Sequence, residues 1–180
     1  MSEVPLTRKI GVSAFVVLAL ATVAAFFIIQ HLKVTTPLIA GNPTPFPPTI
    51  NPVSGGTCTV KDPATGKDMP VSFRNMTVTF FLLHRSDKVD VYVVNQSGTI
   101  VSTLAQGLFM RAFPHPVPGT FSWNGRVAGG RLAPLGRYYV RVVLRQQGRT
   151  INITNSKGLL QWVTVSSSGR CPGAAALSGQ

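Results

Sequence analysis

Few side chains in this sequence are equipped to make or break bonds. The histidines are His31, His84 and His115, the acids number five, and the two cysteines are Cys58 and Cys171. His84-Arg85-Ser86-Asp87 puts an imidazole, a hydroxyl and a carboxylate into one short turn. That is too close along the chain for the separately held nucleophile, base and orienting acid of a triad. His115 stands among Pro114, Pro116 and Pro118, in a loop composition. Asp62 and Asp68 are flanked by Lys61 and Lys67, whose charges offset the carboxylates that a calcium ion requires. No His/Cys group has zinc spacing. The sequence therefore points away from catalysis, from a bound metal or other cofactor, and from a small-molecule substrate.

A second kind of chemistry is suggested by FSWNGRVAGGRLAPLGRYYVRVVL, Phe121 to Leu144, because glycine-rich loops can cradle phosphate. A cradle needs a helix N-terminus behind it or a Gly-Lys-Ser/Thr, and neither is present. Asn124-Gly125 is instead a strong turn dipeptide. Gly129-Gly130 and Gly136 likewise fall between β-patterned runs, so the glycines read as joints between a strand ending at Trp123 and one resuming after Gly136.

What is left is charge. Seventeen Lys and Arg against five Asp and Glu give a net +12, and no acid follows Asp90. Period-two alternation turns Tyr138, Val140, Val142 and Leu144 toward a core and Arg137, Tyr139, Arg141, Val143 and Arg145 outward. Arginines at every fourth position recur at roughly 13 Å along a strand. That spacing suits a repeating polyanion or a lipid surface better than one small anion. The plain alternative is a solvated face. Nucleic acid would be attracted in solution, but a domain outside the cytoplasm seldom meets it, so none is expected as a partner.

The elements that must position this face are legible in outline. Ile10 to Ile29 is an uncharged apolar run of about the length that crosses a bilayer. Arg8 and Lys9 precede it, which keeps residues 1–9 cytoplasmic and sends the rest across. The expectation is a signal-anchor helix over 10–32 and a single-pass cell-membrane protein with its C-terminal part outside the cytoplasm. Ala19-Leu20-Ala21 offers the alternative of a cleaved signal peptide and a secreted protein. Residues 33–56 carry prolines at 37, 43, 45, 47, 48 and 52 and no charge between Val34 and Gly56. This predicts an extended, Pro-rich extracytoplasmic linker.

From residue 57 to 166 the pattern is short alternating runs separated by turn residues, which predicts a mainly β sandwich of the immunoglobulin or fibronectin-III kind. Candidate strands are Thr57–Val60, Met76–Leu83, Lys88–Val94, Thr99–Leu104, Thr120–Trp123, Arg137–Gln146, Arg149–Asn155 and Leu159–Val165. The register of Met76–Leu83 stays open, since its end is apolar on both faces. Cys58 and Cys171 bracket this region and, in an oxidising compartment, would pair most simply with each other. Residues 167–180 are small and polar, a flexible tail.

The stretch around Trp123 resembles the immunoglobulin-like domain of flagellar hook-cap proteins, the FlgD-type domain. That family's pattern is matched in register by Trp123, Gly125, Gly130, Pro134, Gly136 and Tyr138, with Asn124 where an Asp is usual. Upstream, Leu83, Val89-Asp-Val-Tyr-Val93, Asn95-Gln-Ser-Gly98 and Ile100 to Leu104 follow the family's hairpin. The resemblance runs from about Val71 to Leu144 and implies the fold, with Trp123 and Tyr138 directed into the sandwich; the flagellar role does not transfer. Val127 and Ala128 replace commoner polar residues, and Met110–Pro118 lengthens the connection before the Trp strand.

The functional expectation is a bacterial, membrane-anchored envelope module that binds or supports rather than catalyses. Its partners would be an anionic envelope polymer, lipid head groups or a protein. The alternative is an accessory subunit that docks an envelope enzyme or a secretion or assembly machine.

Overall fold

The computed structural model describes residues 6–35, 37–61, 66–155 and 157–167, with side chains for all of these except 6–14, 30–35 and 42. The chain divides between Pro37 and Leu38 into two compact units.

The first unit is α1 (Leu6–Thr35), a helix of 30 residues that overruns the expected 10–32 at both ends. It is rich in Ala and Leu, which favour helix, and lacks interior Gly or Pro beyond Gly11. The described side chains, Phe15 to Ile29, are all exposed, Phe15 at 71% and Phe27 at 67%. Thr22 satisfies its hydroxyl by donating to the Leu18 carbonyl at 2.9 Å. Among the described residues no helix is long and apolar enough to cross a membrane.

The second unit is built of β1 (Ile39–Phe46), β2 (Thr49–Ile50), β3 (Thr57–Lys61), β4 (Asp68–Ser72), β5 (Met76–Leu82), β6 (Asp87–Asn95), β7 (Ile100–Met110), β8 (Gly119–Trp123), β9 (Gly136–Leu144), β10 (Arg149–Asn152) and β11 (Trp162–Val165). One sheet has the order β1-β5-β8; the other runs β2-β11-β9-β6-β7, with β10 also paired to β9. The inward residues of both sheets form one buried cluster. Met76, Val78, Phe80, Leu82, Phe121 and Trp123 come from the first sheet and Val89, Val91, Val93, Tyr138, Val140, Val142, Leu144, Val163 and Val165 from the second. The alternation of β9 is as its sequence demands, and β5 acquires the register that its sequence left open, with Thr77, Thr79 and Phe81 outward. Phe80 and Phe121 stack across the first sheet at 5.2 Å.

The expected linker over 33–56 is corrected. From Leu38 the chain belongs to the β unit. Ile39–Asn42 pairs antiparallel with Phe80–Leu82 and Thr79, and Thr49-Ile50 pairs parallel with Thr164-Val165. A proline cannot donate to a ladder, which bars it from central strands but not from an edge. β1 is such an edge, and Pro43 and Pro45 fall where its register shifts between Asn42 and Phe46. Ile50, read as part of a spacer, is fully buried in the main core. Asn51, 3% exposed, fastens the turn after it. Its Oδ1 accepts from Val53 N and Ser54 N, while its Nδ2 donates to Ser54 Oγ and to the Ser167 carbonyl.

The placement of Thr57–Val60 in the sandwich is corrected as well. β3 pairs with β4 in a hairpin of its own. The sequence reading missed β4, because Asp68-Met-Pro-Val-Ser72 has no clean alternation and contains a proline. The hairpin carries a separate small cluster of Cys58, Val60, Val71 and Phe73, with Phe46 against it. Cys58 is disulfide-bonded rather than titrating as a thiol. Its expected partner Cys171, like the rest of the tail from residue 168, lies outside the described residues.

Because Ile50 is a core residue, Ile50→Ala should destabilise the fold by about 2 to 5 kcal/mol, as truncations of buried Ile do. Chemical unfolding of the full chain measures it; a loss under about 0.5 kcal/mol, ordinary for a surface site, would return residues 33–56 to a spacer.

Candidate functional site

The glycine-rich connection closes the end of the sandwich. Trp123 is 1% exposed and Tyr138 4%, and their rings meet at 5.0 Å with a 58° tilt. Each polar tip finds a carbonyl within the connection itself: Trp123 Nε1 donates to Arg126 O and Tyr138 OH to Pro134 O, both at 2.7 Å. Burial raises the Tyr138 phenol above its ordinary value. Asn124 caps the turn, its Oδ1 accepting from Arg126 N at 3.2 Å. Gly125 has φ +69°, and a Cβ there would lie 2.1 Å from Pro52 Cγ. Only glycine meets both demands. Arg126 Nη1 donates to Gly130 O at 2.6 Å, and Val127 N to Arg131 O at 2.9 Å, drawing Arg126 to Leu132 into a tight arch. These residues are structural, and no phosphate cradle is formed.

The outer face of β9 carries the arginines singled out in the sequence, and the structure alters its composition. Arg145 is not free. Asp90, on the adjoining β6, lies opposite Val143 and so diagonal to Arg145. Arg145 Nε lies 2.9 Å from each oxygen of the carboxylate and Nη2 2.8 Å from Oδ1. Gly107 N adds a hydrogen bond to Oδ1 at 2.6 Å. The hydrogen bond from Arg145 holds the Asp90 carboxyl below its ordinary value, against the opposing effect of burial. Arg145 is in turn pushed up by the same bond. Tyr92, beside them, is raised mainly by burial and further by the charge of Asp90. The expectation of an unopposed triple-arginine stripe is therefore corrected: the acid arrives from another strand.

Arg137 and Arg141 keep their outward places. Arg141 lies over the Tyr139 ring, 5.6 Å from the centroid, with Nη2 donating to Tyr139 OH at 2.7 Å and Nε to Asn152 Oδ1 at 3.1 Å. Two fixed donors set the guanidinium plane and leave Nη1 for a ligand. Tyr139, although on the outer face, is only 6% exposed. Trp162 from β11 covers it edge-on at 5.5 Å. Trp162 is the site residue that sequence reasoning missed. Its signal was the alternation of Trp162 with Val163 and Val165, which turns the indole outward. Arg137 is exposed beside Thr164. Among the described residues no carboxylate faces Arg137 or Arg141, and no group of His, Cys, Asp and Glu is disposed to hold a metal ion.

No protein-family model and no curated protein matches the chain. Among solved structures, the chain is similar to FlgD from P. aeruginosa, at 19% identity and a TM-score of 0.31, over 64% of this chain and 71% of that one. The similarity is weak.

The Asp90 to Arg145 bond carries a pH signature. A carboxyl held below its ordinary value stabilises the fold at and above neutral pH, and that stability is lost as pH falls through its folded-state value. Melting temperature should thus decline on acidification below the usual carboxylate range, and Asp90→Asn should start lower at neutral pH and decline less. Parallel acid limbs in parent and variant would show that the pair contributes nothing.

Proposed function

We propose that this is a single-pass membrane protein whose immunoglobulin-like β unit, of FlgD type, lies outside the cytoplasm and acts as a non-catalytic binding module for an anionic envelope polymer. The uncharged run from Ile10 to Ile29 and the basic residues before it support the anchor. A cleaved leader remains the alternative for that segment. The observation that carries the binding reading is the guanidinium of Arg141, fixed on Tyr139 and Asn152 with Arg137 exposed on the same face and, among the described residues, no acid opposing either. Fixing the donors beforehand lowers the ordering cost that flexible surface arginines incur on binding. With Arg145 neutralised by Asp90, the working face is the half of β9 that Arg137, Tyr139 and Arg141 share with Trp162.

A docking role in a larger envelope assembly is favoured by a different feature. A groove of about 260 Å³ is lined by Pro52, Val53, Leu132 and Leu135, of which Val53 and Leu135 are each 67% exposed. On that reading the partner supplies any activity.

A poly(glycerol phosphate) chain, with neutral dextran as control, tests the first reading on the full-length protein in nanodiscs. Binding should weaken as salt rises, since screening shortens the reach of charge to about 8 Å at physiological ionic strength. The double variant Arg137→Ser/Arg141→Ser should lose binding while keeping its melting temperature. Equal binding by parent and variant would leave the groove as the better guide. The pairing of Cys58 with Cys171 belongs to the same extracytoplasmic reading: a non-reduced peptide map should contain the linked pair, and alkylation of both thiols in the native protein would refute it.

A further inference from the structure

We infer that the end of the β unit where the chain enters it is a lipid-contacting surface, which seats the domain directly on an anionic bilayer. The inference rests on the membrane-anchor reading above.

At this end the start of β1, the turn between β5 and β6, and the loop after β7 come together. Leu83 N donates to the Leu38 carbonyl at 3.0 Å, and Leu82 bridges Ala112. Ala112 N donates to Ser86 Oγ at 3.0 Å, and the Phe113 ring meets Phe81 edge-on at 5.9 Å. The loop is thereby held by hydrogen bonds and packing, yet its large apolar side chains face outward. Phe109 is 58% exposed, Phe113 57% and Val117 62%. Scattered single exposures would mean little, but these share one end of the unit.

The charges around them have one sign. Lys88 is the cross-strand neighbour of Phe109, and Arg85 and Arg111 flank the same turn and loop, all exposed. Asp87, the acid at this end, is fully buried and spends its oxygens on Gln146 N and Gln147 N at 2.8 and 3.0 Å. Exposed phenylalanines among basic side chains are what an anionic membrane interface selects, the rings entering the acyl boundary while the cations meet head-group phosphates. A protein partner would need no such mixture at the point of chain entry.

The opposite end of β9 carries Arg137, Tyr139 and, across the strand pair, Trp162. Measured along β9 to Leu144 at the lipid-facing end, Arg137 is roughly 24 Å away, and Tyr139, with Trp162 opposite it, roughly 17 Å. Arg141 lies between them, roughly 10 Å along β9 from Leu144, so the polymer face proposed above begins close to the lipid face and runs away from it.

The test places a reporter at each end of the full-length protein in nanodiscs containing brominated lipid. Phe113→Trp, and independently Phe109→Trp, should lose emission to bromine quenching beyond the loss in the parent, whose Trp123 and Trp162 set the background. Leu135→Trp, exposed in the distal connection, should lose none. The excess quenching should be greater with phosphatidylglycerol than with phosphatidylcholine alone, and should shrink when Arg85, Lys88 and Arg111 are changed to Ser. Two unquenched reporters in a protein that resists alkaline carbonate extraction would overturn the lipid surface while leaving the anchor standing. Equal quenching of Leu135→Trp would also overturn it, since contact would then be unspecific. Release of the parent by carbonate would overturn the anchor and this inference together.

Discussion

The β unit depends on β9 being paired along both edges. One edge is taken by β6 over Tyr138 to Leu144, and the other by β11 and then β10 in succession. A strand fixed on both sides has no freedom of register, and a slip by one residue would exchange its two rows of side chains. Placing Tyr138, Val140, Val142 and Leu144 against the first sheet necessarily places Arg137, Tyr139, Arg141 and Arg145 on the other side. The arginine face is in this sense the reverse of the core, specified by the same apolar residues. The pairing with β6 also brings Asp90 to Arg145, so a single register both creates the arginine row and cancels one member of it.

Prolines illustrate how a local preference yields to position in the sheet. The segment before Gly56 is rich enough in proline to suggest polyproline II, and nothing in its composition opposes that reading. Yet the constraint proline imposes is specific: it removes a donor and fixes φ. An edge strand with a register shift accommodates both, and the unprolinated pieces, Ile39 to Asn42 and Thr49-Ile50, carry the hydrogen bonds and the buried isoleucine. The segment thus begins the domain instead of holding it at a distance.

What was legible in the sequence is what alternation encodes. The inward rows of β6 and β9, Tyr138 among them, and the turn at Asn124-Gly125 follow from residue type and spacing, whereas the burial of Trp123 was an expectation of the family resemblance alone. What was not legible depends on which strands become neighbours. Thr57 to Val60 alternates as well as any sandwich strand, and nothing local reveals that its partner is the weakly patterned Asp68 to Ser72. Asp90 is 55 residues from Arg145, and Trp162 reaches Tyr139 through a pairing that no short motif signals. Alternation set the faces of β6 and β9; the site's charge and its aromatic cover came from the assembly of strands.

One feature of the assembly concerns force. β2 and β11, near the two ends of the described β unit, run parallel, joined by Thr164 N to Pro48 O and Ser166 N to Ile50 O at 2.8 and 2.9 Å, with the Asn51 amide holding Ser167 beside them. Tension between the two ends of such a pair acts along the strands, across the hydrogen bonds rather than in line with them. The bonds are then loaded together instead of opening in turn. A load drawn through the chain before Thr49 and after Val165 would meet this seam in shear.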